Sequence, residues 1–137
     1  MRKDNKVALN INKKRYYTVV VTDDPDFLNK VVKDYELSRN YPNPFNPSTK
    51  ISFAIPTPFT EQGRPIYDKQ RVTLKIYDMR GRLIKTLTDS KYKPGKRYQK
   101  RWMGKGNTGR LVSSGVYVYR VDIGGRFVKS RKMVIVK

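Results

Sequence analysis

From residue 50 onward the chain is written in a period of two. Lys50-Ile51-Ser52-Phe53-Ala54-Ile55 puts Ile51, Phe53 and Ile55 on one face, and Val72-Thr73-Leu74-Lys75-Ile76-Tyr77 does the same with Val72, Leu74 and Ile76. Successive side chains of a strand point to opposite faces, so this alternation predicts half-buried strands and not helices. Arg82-Leu83-Ile84-Lys85-Thr86-Leu87 returns across the turn Asp78-Met79-Arg80-Gly81 as a hairpin partner. Pro94-Gly95 opens a further strand from Lys96 to Trp102, and Gly104, Gly106 and Gly109 make a loop after it. Gly115 to Ile123 is apolar on both faces, as a central strand would be. Gly124-Gly125 is a type I′ hairpin signal, and Arg126 to Val136 is the last strand. Seven or eight short strands with turns at this spacing predict an all-β antiparallel sandwich. Pro56 to Gln70 is a long polar loop between two of them.

The first forty residues read differently. Arg15-Tyr16-Tyr17-Thr18-Val19-Val20-Val21 is β-branched and aromatic and predicts a strand. Thr22-Asp23-Asp24-Pro25 ends it, with Asp24 suited to a helix N-cap and Pro25 to the first helical position. Phe27, Leu28, Val31 and Val32 would share one face of a short helix running to about Asp34. Capping and helix-dipole compensation account for Asp23, Asp24 and Asp26 more economically than a cation site does. Next comes Asn40-Tyr41-Pro42-Asn43-Pro44-Phe45-Asn46-Pro47-Ser48-Thr49, where the prolines forbid a helix and favour an extended, turning path. Its Asn side chains can close local turns, and Tyr41 and Phe45 are expected to pin it onto the sandwich. The chain thus divides into an N-terminal strand-helix extension, 1–39, and a sandwich, 40–137.

Composition removes several function classes. There is no Cys and no His. Disulfides, thiolate metal sites and Ser-His or Cys-His nucleophile pairs are all excluded. No apolar run approaches the roughly 18 residues that span a bilayer. The basic start, Met1-Arg2-Lys3-Asp4-Asn5-Lys6, has no apolar h-region after it, so a signal peptide is not expected. Gly104-x-Gly106-x-x-Gly109 spells GxGxxG but opens no helix, so the dinucleotide reading fails. No carboxylate pair stands out for acid-base work, since Asp78 and Asp122 fall at turns or strand ends. A non-enzymatic binding module without cofactor or metal is the expectation.

Three segments, in order and at the right spacing, carry a resemblance. They are Asn40 to Thr49, then Leu74-Lys75-Ile76-Tyr77-Asp78-Met79-Arg80-Gly81-Arg82, then Ser114-Gly115-Val116-Tyr117-Val118-Tyr119-Arg120 with the ending Arg131-Lys132-Met133-Val134. Residues 40–137 resemble the type A C-terminal sorting domain of the type IX secretion system, which is related to the immunoglobulin-like domain of the flagellar hook-capping protein. The resemblance implies an immunoglobulin-like antiparallel sandwich of about seven strands. It implies that Tyr41, Pro42, Asn43, Pro44, Phe45, Asn46, Pro47, Gly81, Gly115, Tyr117 and Lys132 belong to the sorting motif. It also implies a domain read by the secretion machinery at the outer membrane, often cleaved, with its cargo tethered to anionic lipopolysaccharide. Cell-surface or secreted cargo follows from the resemblance; a cytoplasmic protein follows if Met1 is the natural start. After Trp102 the family usually carries acids where this chain has Met103 and Gly106, so a cation-binding role for that loop does not carry over.

Charge adds a second line. Thirty-one basic and eleven acidic residues give +20, and residues 41–137 hold twenty-two basic and five acidic side chains, net +17. Such a field attracts polyanions: RNA, DNA, anionic lipid or acidic polysaccharide. Lys91, Lys93, Lys96, Arg97, Lys100, Arg101, Lys105 and Arg110 occur without an acid among them, interleaved with Tyr92, Tyr98 and Trp102. Arg126, Lys129, Arg131, Lys132 and Lys137 form a second group, and Lys13-Lys14-Arg15 a third. Cations beside aromatics suit nucleic-acid contact, although Tyr98 and Trp102 are read here as core residues. If 96–102 is a strand, Arg97, Gln99 and Arg101 share one face and Tyr98, Lys100 and Trp102 the other. The leading expectation is a sorting or anchoring module that meets the outer-membrane machinery or an anionic surface polysaccharide. The alternatives are a repurposed sandwich holding RNA inside a nucleoprotein assembly such as a ribosome, and a subunit of an extracellular structural assembly.

Overall fold

Two antiparallel sheets face each other across one apolar layer, and the strands at 49–55 and 70–78 bury the faces that the alternation in the sequence marks. The computed structural model describes residues 6–12, 16–21 and 32–137. The first two stretches are strands β1 (Lys6–Asn12) and β2 (Tyr16–Val21), paired antiparallel with an irregularity between Asn10 and Asn12. The strand expected from Arg15 is therefore present, together with a partner that was not expected. The expected helix from Asp24 lies almost wholly outside the described residues, and residues 32–34 at its far end are irregular.

The sandwich comprises seven strands. β3 (Glu36–Leu37), β4 (Thr49–Ile55) and β7 (Lys96–Trp102) form one sheet in the order β3-β4-β7. β5 (Gln70–Asp78), β6 (Leu83–Tyr92), β8 (Gly115–Ile123) and β9 (Phe127–Ile135) form the other in the order β6-β5-β8-β9. All neighbouring strands are antiparallel. β8 does lie centrally, between β5 and β9. The hydrophobic positions meet between the sheets: Ile51, Phe53 and Ile55 from β4, Val72, Leu74 and Ile76 from β5, Tyr119, Val121 and Ile123 from β8, and Met133 from β9 are all buried. Each such side chain, fully removed from water, stabilises by about 1.5–3 kcal/mol. Trp102 is buried at the end of β7, as its reading as a core residue requires, and Tyr98 is half-buried against Phe53 and Tyr92.

Turn chemistry fixes the hairpins. Gly124 and Gly125 both have positive φ, 60° and 68°, which the type I′ turn between β8 and β9 demands. At the β5–β6 turn the Asp78 carboxylate accepts from the N–H groups of Arg80 and Arg82, both at 2.9 Å, while its other oxygen pairs with the Arg82 guanidinium at 2.8 Å. These donors, the Arg82 N–H foremost, hold the Asp78 carboxyl below its usual range.

The glycine-bearing loop after β7 has a structural task. Asn107 sits beside the edge of β6 like one residue of a further strand. Its N–H donates to the Ile84 carbonyl at 2.9 Å, and its side-chain oxygen accepts from the Thr86 N–H at 3.1 Å. Gly106 leaves only 3.2 Å between a hypothetical Cβ and the Ile84 carbonyl oxygen, so a small residue is needed for that approach.

Candidate functional site

The proline-rich segment before β4 is a brace between the two sheets. With prolines at 42, 44 and 47 it can offer few N–H groups, so side chains and carbonyls do much of the bonding. Asn40 is buried; its N–H donates to the Tyr119 hydroxyl at 3.0 Å, and that hydroxyl donates in turn to the Ser38 carbonyl at 2.7 Å. The Asn40 amide donates to the Pro42 carbonyl at 3.2 Å and to Thr49 Oγ1 at 3.0 Å, and Thr49 Oγ1 closes the triangle on the Pro42 carbonyl at 2.8 Å. Burial raises the Tyr119 phenol above its usual pKa. Tyr41 then exchanges backbone hydrogen bonds with Lys50 of β4, 3.0 and 2.8 Å.

Four residues on, the segment has crossed to the other sheet. The Phe45 N–H donates to the Val134 carbonyl at 3.0 Å, and the Val136 N–H donates to the Phe45 carbonyl at 3.1 Å, a parallel bridge along the outer edge of β9. Asn43 Oδ1 accepts from the Val134 N–H at 3.0 Å. The Phe45 ring is buried against Trp102 with 5.5 Å between centroids. Phe45 therefore pins the segment as expected. Tyr41 does not: its side chain is 79% exposed. The backbone exchange with Lys50 and the buried Asn40 already fix that end, and they turn the Tyr41 ring outward. Pro42, Asn43, Pro44, Asn46 and Pro47 are exposed as well.

The three sequence segments converge on one end of the sandwich. Phe45 touches Trp102, and Trp102 meets Tyr117 edge-on with 5.7 Å between centroids. Gly104 lets the chain pass close by, since a Cβ there would lie 2.9 Å from Ile135 Cδ1. Gly115 is in register with Ile135, which pairs with Phe45. The Tyr117 hydroxyl donates to the Ser113 carbonyl at 2.7 Å, and the Lys137 N–H donates to Ser114 Oγ at 3.2 Å, which ties down the chain end. Between the turn carrying Gly81 and the lead into β8 lies an open cleft of about 530 Å³, bordered by Met79, Arg80, Ile84, Val112, Ser113 and Tyr117 among others. Lys132 stands apart, in register with Val118 on the outer face of the four-stranded sheet.

The cations divide by place. Lys91 and Lys93 end β6 and begin the next turn, Lys96, Arg97, Lys100 and Arg101 lie on β7, and Lys105 and Arg110 belong to the loop after it. Arg126, Lys129 and Arg131 lie in the β8–β9 turn and on β9, the far edge of the other sheet, so the two groups are not brought together. Among the described residues, three of these side chains have partners within the fold. Arg97 pairs with Glu36 at 3.3 Å, Arg131 Nε donates to the Leu37 carbonyl at 2.7 Å, and Lys100 Nζ sits 5.6 Å from the centre of the Tyr92 ring. Arg97, Gln99 and Arg101 do share the outer face of β7, with Trp102 on the inner. Strand register adds what the sequence alone does not show: Lys50 stands directly opposite Arg101, and Lys75 opposite Arg120. Like charges at such positions repel, and among the described residues none of the four has an ion-pair partner.

Among the described residues no three His, Cys, Asp or Glu side chains come together in a way that could hold a metal ion, and no helix is long and apolar enough to cross a membrane. The structure resembles two solved proteins of Porphyromonas gingivalis. One is the dimeric latent PorU, with a TM-score of 0.55 and 18% identity over 88% of this chain and 10% of that one. The other is PorZ, an essential bacterial surface component of the type-IX secretion system, with a TM-score of 0.43 and 22% identity over 85% of this chain and 13% of that one. The chain thus spans only about a tenth of the length of either, and the likeness to PorU shows a shared fold. A search of curated proteins gave no match. The model of the secretion system C-terminal sorting domain matches residues 39–137. That span takes in the brace, the aromatic contacts behind it and every strand of the sandwich but β3, and the chain therefore belongs to the secretion system C-terminal sorting domain family.

Proposed function

We propose that this domain is a non-catalytic sorting module, recognised by the secretion apparatus at the outer membrane and directing an attached polypeptide to the cell surface or the medium. One observation carries the reading. The motif segment is braced at both ends by buried groups, yet it leaves Tyr41 uncovered beside Lys50 and Arg101. Asn40, Asn43, Phe45 and Thr49 each have a packing or hydrogen-bonding task inside the fold. Among the described residues the Tyr41 side chain has none, and a large exposed aromatic on a fixed backbone is what a partner's pocket can grip.

The test is to append the full chain to a reporter with an ordinary export signal, in a bacterium that has type IX secretion. The wild-type fusion should reach the surface or medium, while Tyr41→Ala should accumulate in the periplasm with an unchanged melting temperature. Export of Tyr41→Ala at the wild-type level would overturn the reading.

The like-charge pairs Lys50–Arg101 and Lys75–Arg120 favour a second contact, with an anionic surface polysaccharide. Its binding would weaken steeply with salt, because each cation on a phosphate or carboxylate releases a counterion. The family match supports the sorting reading over an RNA-bound or structural-subunit role.

A further inference from the structure

The strand edges of the sandwich are treated unequally. The edge of β9 is covered by Asn43 and Phe45, and the start of the β6 edge is capped by Asn107. β3 is two residues long. β7, with seven residues, is the remaining long edge, and among the described residues no hydrogen bond outside its ladder with β4 engages the backbone of Arg97, Gln99 or Arg101.

Which groups β7 offers follows from β4. Lys50 exchanges both its hydrogen bonds with Tyr41, and the Ser52 carbonyl accepts from the Ser38 N–H at 2.9 Å. Lys50 and Ser52 thus turn their backbone groups away from β7, and Ile51, Phe53 and Ile55 turn theirs toward it. Their register partners are Lys100, Tyr98 and Lys96. By the alternation of an antiparallel ladder, Arg97, Gln99 and Arg101 present N–H and C=O to the open side. The same three residues carry their side chains on the outer face, all exposed.

We propose that β7 is a docking edge for an extended acidic segment of a partner protein, which adds to the sheet as a further strand. Directly opposed side chains on one face lie about 5 Å apart. The segment would therefore carry carboxylates four residues apart, opposite Arg97 and Arg101, with a small polar residue between them opposite Gln99. Lys50, beside Arg101, reinforces the same charge. A second copy of this chain is not the occupant, because antiparallel self-pairing centred on Gln99 would set Arg97 against Arg101. The inference stands on strand geometry and is independent of the export reading.

The probe is a synthetic peptide of sequence T-V-D-V-T-V-D-V-T, with a version carrying K for D and a polyglutamate of equal length as controls. Binding to the full chain is followed by calorimetry and by amide hydrogen exchange. The acidic peptide should bind and slow exchange at Arg97, Gln99 and Arg101, and the lysine version should not bind. Gln99→Pro removes an outward N–H but no bond to β4, a position where sheets tolerate proline, so the fold should persist. It should weaken binding at least about tenfold, as should Arg97→Ser with Arg101→Ser. No binding would overturn the proposal. So would equal binding of polyglutamate, or loss on removing the arginines with none on Gln99→Pro, since either means diffuse attraction to any polyanion. If Gln99→Pro fails to fold, the exchange pattern in the wild-type chain decides: protection confined to those three amides sustains the proposal, and its absence refutes it.

Discussion

Replacing Tyr119 by Phe deletes one oxygen from a fully buried ring and should cost more than any comparable change at the surface. The hydroxyl both accepts from the Asn40 N–H at 3.0 Å and donates to the Ser38 carbonyl at 2.7 Å. Asn40 is 4% exposed, so its N–H would be left without water, at a cost of about 1–3 kcal/mol. The Ser38 carbonyl is half-buried and recovers part of its loss from solvent. The shape of the ring is kept, so no cavity term adds to this. The expected loss is about 2–3 kcal/mol out of a total stability of about 5–15 kcal/mol. For a domain of about 100 residues that lowers Tm by roughly 8–20 °C. Urea unfolding followed by tryptophan fluorescence would read it as a shift of midpoint with an unchanged slope, since the surface exposed on unfolding is the same. Tyr117→Phe is the control, because among the described residues its hydroxyl meets only the exposed Ser113, at the carbonyl (2.7 Å) and at Oγ (3.4 Å), and its loss should be smaller. A second signature is alkaline. The raised pKa of Tyr119 contributes stability below the unfolded tyrosine value of about 10 and loses it as pH rises through the folded value. Tyr119→Phe should remove that part of the alkaline decline. A midpoint shift equal to or below that of Tyr117→Phe would refute the account of the Asn40 anchor.

Three further outcomes are expected. Gly104→Ala should destabilise by about 1–3 kcal/mol, because a Cβ would meet Ile135 Cδ1 at 2.9 Å and φ is +71°; thermal melts would show it. Asp78→Asn should lower Tm at neutral pH and approach the wild type as pH falls below about 4, since the depressed Asp78 pKa stabilises above the unfolded value and loses that effect in acid. Asn107→Ala keeps the backbone bond to the Ile84 carbonyl but should uncover the Thr86 N–H on the β6 edge and raise aggregation on light-scattering measurements, with little change in the core.

The alternation of β4 and β5 was legible in the sequence because a one-residue slip would turn Ile51 or Leu74 outward. Gly124 and Gly125 were legible because few other residues accept their dihedrals. β1 carried a signal that passed unread, the apolar positions Val7, Leu9 and Ile11. β3 carried almost none, since two residues cannot display a period. The motif segment was recognisable as a string, but whether Tyr41 or Phe45 faced inward depended on Asn40 and Lys50, which hold the backbone from two sides. The opposition of Lys50 to Arg101 could not be read at all before the register was known, because the two lie 51 residues apart.

The parallel bridge between Phe45 and β9 also has a mechanical meaning. A polypeptide pulled outward ahead of residue 40, while the end at Lys137 is held, strains the brace along its length and β9 in the opposite direction. The hydrogen bonds of Phe45 with Val134 and Val136, and of Asn43 with Val134, then carry the load together in shear rather than opening one after another. The clasp is thus strongest in the direction in which an attached cargo would tug.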